Sequence, residues 1–237
     1  MLRAFHWLEF GLACNMKLVN IHTHHQSAVA GIQLVNYQIQ FEFPERQEQN
    51  YSVGFHPWDI KAFDQDQMIE KLTKVAQYKN VLAIGECGLD RAIDTSLELQ
   101  EQVFIRQIDL AEKLKKPLII HAVKTYPDII KIKKDRKVEI PWILHGYQGN
   151  LQTTKQLLNH NFHFSLGARI LKNENKLVQS LKEIPLDRLF FETDESSEKI
   201  ETIYTFAAQI LEIDSRDLKE TIWKNYQRIF EHGEVAR

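Results

Sequence analysis

Cysteine is almost missing. Cys14 and Cys87 are the only two in 237 residues. That excludes a disulfide framework and makes a reducing, cytoplasmic setting the simpler expectation. Long apolar runs are missing too, since nothing approaches the ~18 residues needed to span a bilayer. Nor is there an excess of positive charge: 30 Lys and Arg stand against 32 Asp and Glu, a formal net charge of -2. A protein that grips duplex nucleic acid through phosphate contacts alone is usually much more basic. Tight non-specific binding is therefore disfavoured, whereas an enzyme that meets nucleic acid briefly is not. Internal repeats, low-complexity tracts and Gly/Pro/Ser linkers are absent as well.

What is there is an ordinary globular balance, 43% hydrophobic and 26% charged, at a length that suits one α/β barrel. Leu2 to Cys14 has the faint look of a signal peptide, but His6 and Glu9 interrupt it and Gly11 is poor for a lipobox. Met16-Lys17 reads as a natural start. Residues 1–16 are expected to be a non-catalytic extension and 17–237 a single domain.

Short apolar runs alternate with longer helical patterns, which points to a parallel α/β fold. The strand candidates are Lys17–His22, Gln33–Gln40, Tyr51–His56, Val81–Cys87, Pro117–His121, Trp142–His145, Phe162–Leu166 and Leu189–Thr193. Eight is the number that closes a (β/α)8 TIM barrel. Helices are expected over Asp64–Tyr78, Ser96–Lys115, Tyr126–Arg136, Asn150–Asn159, Glu174–Leu181, Glu198–Leu211 and Ser215–Phe230, the last with Ser215 as its cap. Only His25–Ile32 and Phe41–Asn50 separate the first three strands, less than the dozen or so residues of an ordinary parallel crossover. The barrel should therefore be irregular there, either trimmed or partly antiparallel.

The chemistry lies in what ends these strands. The first closes on His22-Thr23-His24, the fourth on Glu86, the fifth on His121, the sixth on His145 and the eighth on Asp194. Residues i and i+2 share a strand face, so His22 and His24 can point inward together. Barrel strands converge at their C-terminal ends, where active sites of this fold sit. Any one of these residues alone is weak evidence, because a single HxH or a core histidine is common. Together the six are hard to explain as packing, since buried carboxylates and imidazoles need partners. Imidazoles with carboxylates and no thiolate suit divalent Zn, Mn, Fe, Ni or Co, with Mg less well served. Six ligands exceed one tetrahedral shell, so one or two ions are possible and two use them better.

The ordered motifs His22-Thr23-His24, Gly54-Phe55-His56-Pro57-Trp58, Gly85-Glu86-Cys87-Gly88-Leu89-Asp90, Pro117 to His121, His145-Gly146-Tyr147-Gln148-Gly149 and Glu192-Thr193-Asp194, with the Asn225 to Phe230 ending, resemble those of the TatD-like hydrolases. The resemblance implies a metal-dependent hydrolase of the amidohydrolase type. Its better-known members cleave DNA phosphodiesters, so DNA would be a transient substrate. By motif the same six residues would ligate metal, with Glu86 as the bridge between two ions. The chain departs from the family at three places. Asn20 stands where the first motif usually has Asp, in a position to hydrogen-bond a ligand histidine. Val123 stands where Arg is frequent, leaving Lys124 as a substitute charge for substrate. Glu195-Ser196-Ser197 replaces a small residue and Pro. These changes touch the substrate pocket more than the metal shell.

The reaction so implied is attack of metal-activated water, with Asp194 as ligand and general base. His56 is a candidate contact for substrate or leaving group, or else a structural histidine before the Pro57 turn. His25 is read as solvent-facing or behind the ligands, and His6, His160, His163 and His232 as surface or packing residues. Cys87 is read as a buried structural thiol, and the basic stretch Lys113–Lys137 as a solvated helix face. Two other functions stay open: hydrolysis of a small amide, lactone or phosphate ester, which the near-neutral charge favours, and a metal-binding scaffold without catalysis. Neither the oligomeric state nor the native metal is legible.

Overall fold

Eight strands pair in chain order, each parallel to the next, in a computed structural model that describes residues 17–25, 31–44 and 48–231. They are β1 (Leu18–Thr23), β2 (Gly31–Gln38), β3 (Asn50–Gly54), β4 (Val81–Asp90), β5 (Leu118–Val123), β6 (Trp142–Leu144), β7 (Phe162–Leu166) and β8 (Leu189–Phe191). The ends of the sheet meet. Thr23 bridges Asp194, the Asp194 N–H donates to the His22 carbonyl at 3.0 Å, and the His24 N–H donates to the Asp194 carbonyl at 3.2 Å. The result is the barrel expected from the strand count. The N-terminal extension lies outside the described residues.

Apart from β2, where only Leu34 and Tyr37 are buried, the strands are buried along most of their length, as in parallel sheets covered on both faces. The cover is α1 (Gln65–Val75), α2 (Leu97–Leu114), α3 (Tyr126–Arg136), α4 (Leu151–Leu158), α5 (Asn175–Glu183), α6 (Ile200–Leu211) and α7 (Ser215–Tyr226). Their starts follow capping chemistry: Asp64, Ser96 and Asn150 each accept a backbone N–H three residues on, satisfying donors the helix cannot. The cap of α7 is Asp214, which accepts from the Arg216 N–H at 2.7 Å. Ser215 is therefore the first helical residue rather than the cap. Among the described residues no helix is long and apolar enough to cross a membrane.

The irregular side is as short as expected but not antiparallel. β1 pairs with β2, and β2 with β3, in parallel, so the antiparallel alternative is overturned. The registers run the same way on both sides: Leu18 to Asn20 face Gly31 to Gln33 in order, and Leu34 to Gln38 face Asn50 to Gly54. A cavity of about 260 Å³ lies beside this flank, lined in part by Leu18, Ile32, Thr193 and Ile200.

One lysine from the basic stretch is not solvated. Lys133 on α3 is buried, with its Nζ 5.1 Å from the Trp142 ring and 4.7 Å from Phe162, donating to the Asn161 carbonyl. Burial pulls its pKa down to about 7. The folded value lies below the unfolded one, so between about pH 7 and 10 the unfolded state holds the extra proton and stability rises with pH. Urea unfolding of wild type and Lys133→Met at pH 7 and pH 9.5 should show an additional gain in the wild type on the order of 3 kcal/mol. Parallel pH profiles for the two proteins would refute a neutralised lysine.

Candidate metal centre

All six strand-end residues meet at one point, and the local sequence explains how. His22 on β1 and His24 just past its end turn inward around Thr23. On β4, Gly85 and Gly88 have φ near +142°, and a Cβ at either would overlap a β5 carbonyl. These glycines let β4 lie tight against β5, in register Gly88 to His121. The Gly85–Glu86 peptide is cis. His145 follows β6, and Asp194 follows β8 in the left-handed conformation at the barrel seam.

Glu86 is the hub. Its Oε1 lies 2.7 Å from His145 Nε2, 2.9 Å from His121 Nδ1 and 3.1 Å from His56 Nε2. Its Oε2 faces His22 Nε2 at 3.4 Å and His24 Nε2 at 3.7 Å. Asp194 Oδ1 completes that side, 3.5 Å from His22 and 3.4 Å from His24. One carboxylate thus divides two sets of donors. His22, His24 and Asp194 form one group whose ligand atoms lie within 4.8 Å of one another, His56, Glu86 and His121 form another, and His22, Glu86 and His145 form a third that links the two sides.

These residues fit a metal ion. His22 Nε2 is fully buried and has no hydrogen-bond partner, although two carboxylates stand near it. A buried nitrogen left this way is costly unless something else fills the gap. Spacings of 3.4–3.7 Å among His22, His24, Glu86 and Asp194 would suit donors gathered round one small divalent cation, whose bonds to nitrogen and oxygen run to about 2.0–2.2 Å.

The ionisation of the groups agrees. Burial pushes the Glu86 carboxyl up, but the imidazoles of His145, His121 and His22 around it hold it well below the usual carboxylate range. Burial also raises Asp194, and the imidazoles of His22 and His24 beside it more than reverse this. Hydrogen bonds to Asp194 and then Glu86 push His24 up to about 9. Without metal, protons hold the place a cation would take, and the two compete.

A ring of supporting residues sets which nitrogen of each histidine faces Glu86. Asp90 Oδ2 lies 3.1 Å from His121 Nε2. An ionised carboxylate only accepts, so Nε2 carries the hydrogen and Nδ1 is free to ligate. Glu192 faces His145 Nδ1 at 3.5 Å, short of a formed hydrogen bond, and accepts from the Gly146 N–H, while His145 turns its Nε2 to Glu86. Asn36 holds Glu86 twice, donating from Nδ2 to Oε2 at 3.3 Å and accepting the Glu86 N–H at 3.0 Å. Sequence reasoning assigned none of these three a role. Asp90 at i+4 from Glu86 and Glu192 at i−2 from Asp194 share the ligands' strand parity, a usable signal. Asn36, in the middle of β2, had none.

His56 differs from the candidate ligands. Its Nδ1 accepts the Trp58 N–H at 3.2 Å, and burial lowers its pKa despite Glu86. The ring is therefore neutral, with its hydrogen on Nε2. It enters the pocket as a donor. One expectation is corrected. Asn20 does not reach a ligand histidine: its Nδ2 donates to Thr193 Oγ1 at 2.8 Å and its Oδ1 accepts the Thr193 N–H at 3.1 Å, because a bulge in β1 after Asn20 separates it from His22. Lys124 is exposed and is not among the residues lining the metal pocket, because the chain has already turned through a left-handed residue there. His25 is exposed, while His163 and Cys87 are buried in β7 and β4.

The pocket over this centre is about 150 Å³, with Gln38, His56, Trp58 and Glu195 in its wall beside Glu86 and Asp194. The family model described as TatD-related DNase matches residues 17–231. The chain belongs to that family. A Bacillus subtilis relative named as an uncharacterised metal-dependent hydrolase is 35% identical over 60% of this chain and 57% of its own. One from Methanocaldococcus jannaschii, named likewise, is 32% identical over 76% of this chain and 74% of its own. The matched region thus spans less than two thirds of the Bacillus protein. A TatD homologue of Escherichia coli superposes with a TM-score of 0.81 at 18% identity, covering 91% of this chain and 98% of that one, which supports the family's barrel fold.

Proposed function

We propose that this protein hydrolyses phosphodiester bonds, with DNA as its transient substrate, using one or two divalent cations held by His22, His24, Glu86, His121, His145 and Asp194. The observation that carries this is the Glu86 carboxylate set between two groups of donors. A cation held there would supply water of pKa lowered toward ~7 and a Lewis acid for the scissile group. The protein's own residues do the rest. Asp194 is held ionised and lines the pocket, so it takes the proton of the attacking water. His56, whose Nε2–H rests on Glu86 Oε1 at 3.1 Å, is the donor at the pocket wall that would turn to the leaving oxygen. Asp90, Glu192 and Asn36 keep the ligands in register.

A second reading, a small phosphate ester, amide or lactone as substrate, is favoured by the lack of any Lys or Arg among the pocket-lining residues. Assay of purified, metal-loaded protein against single-stranded DNA and a panel of small esters separates the two. Turnover of the small esters with no DNA cleavage would replace the nuclease reading.

An adjoining cavity of about 170 Å³ shares Asp194 and Glu195 with the pocket and contains Arg169. Its place after β7 is where barrels often bind phosphate. Arg169→Ala should raise KM for a phosphodiester on the order of tenfold and leave KM for a neutral lactone unchanged. Equal effects on both would show that the guanidinium is not a phosphate contact.

A further inference from the structure

Trp58 is 62% exposed, the most exposed of the large hydrophobics in the described residues. An indole in water forgoes burial that would stabilise the fold by a few kcal/mol, so its position calls for a reason. The residue is not loose. Its Nε1–H donates to Asp90 Oδ2 at 2.8 Å, and Asp90 is itself buried and accepts the Ala92 N–H at 2.7 Å. Its backbone N–H is taken by His56 Nδ1. Its ring stands edge-on to His56 at 5.0 Å and to His121 at 6.0 Å. It lines the same pocket as Glu86 and Asp194. The indole is therefore a flat apolar surface, fixed in advance and open to solvent, one ring away from the metal ligands.

We propose that Trp58 is the stacking platform of this site, taking the face of a planar ring carried next to the scissile bond. This rests on the phosphodiester reading above, under which the ring is an unpaired base. Two physical points support it. Base stacking on an aromatic side chain needs no charge and tolerates any sequence, which suits a pocket whose lining residues include no Lys or Arg. A platform already held by Asp90 loses little freedom on binding. The base it accepts must have left its stack, so duplex interiors are poor partners.

The test compares metal-loaded protein binding to a short phosphorothioate-linked oligothymidylate and to the same sugar–phosphate chain without bases, followed by fluorescence anisotropy. Wild type should prefer the base-bearing strand on the order of tenfold. Trp58→Phe, which keeps a ring but loses the Nε1 bond, should retain most of that preference. Trp58→Leu, which keeps bulk without a ring face, should abolish it and leave affinity for the bare chain unchanged. Preference surviving in Trp58→Leu would overturn the platform. Trp58→Phe as weak as Trp58→Leu would also overturn it, and would make the indole a positioning residue for Asp90. Wild type that binds neither strand would remove the phosphodiester reading itself, an outcome distinct from both.

Discussion

Asp194→Asn is expected to lower kcat by about a thousandfold or more, with metal content close to that of wild type. The amide retains an oxygen that can ligate beside His22 and His24 but cannot accept the proton of the attacking water. The substitution thus separates ligation from base catalysis. The fold should tolerate it: the seam is closed by the backbone of Asp194, whose N–H bonds the His22 carbonyl and whose carbonyl accepts from His24, and its side chain is 41% exposed. Steady-state kinetics with elemental analysis of the same preparations decide the matter. An Asp194→Asn protein that turns over at the wild-type rate would remove Asp194 as the base. One that loses both metal and activity would reduce it to a ligand.

Glu86→Gln should have the other large effect, this time on metal. Glu86 is the one carboxylate among the described residues that faces both donor groups, so its charge serves every ion the site holds. Saturating metal at about a thousand times Kd stabilises a protein by ~4 kcal/mol, or roughly 8–16 °C in Tm for a domain of this size. That increment should appear in wild type on adding Zn²⁺ or Mn²⁺ and largely vanish in Glu86→Gln. The gain should also depend on pH. In the metal-free protein His24 is raised to about 9, so its stabilising protonation is complete below about 6.5 and is lost as pH rises toward 9. Metal must displace that proton, and its apparent affinity should therefore climb over the same interval. A metal-induced Tm shift of equal size in both proteins would show that Glu86 is not the shared ligand.

The centre can be weakened without touching a candidate ligand. Glu192 is fully buried, and its Oε2 has no hydrogen-bond partner, so it stands in the fold at a cost. What it supplies is the orientation of His145, whose Nδ1 it faces. A buried carboxylate behind a histidine is typical of metal shells, where removing it costs roughly 10–100-fold in affinity or activity.

Much of this architecture is legible in the chain itself. The eight strands show because apolar runs broken by helical periods are written locally, and because strand register fixes which alternate residues share a face. The six candidate ligands show because each falls at the end of such a run, and parallel barrel strands all end at one rim. One smaller reading failed for a physical reason. Asn20 was placed by parity along the chain. A shift of register in β1 after Asn20 changed its direction, and such a shift leaves no mark in composition.

The amino-acid sequence alone therefore determined the fold class, the order of the strands and the identity of the side chains that gather at the barrel mouth, since each depends on contacts and spacings within a few residues. Tertiary structure decided that the two short crossovers are parallel, that Glu86 divides the donors in two, and that Asn36, Asp90 and Glu192 stand behind them. Those three lie 50, 31 and 46 residues from Glu86, His121 and Gly146, the residues they hold. Such pairings arise only when the barrel closes, because a hydrogen bond is set by position in space and carries no signature in the intervening chain.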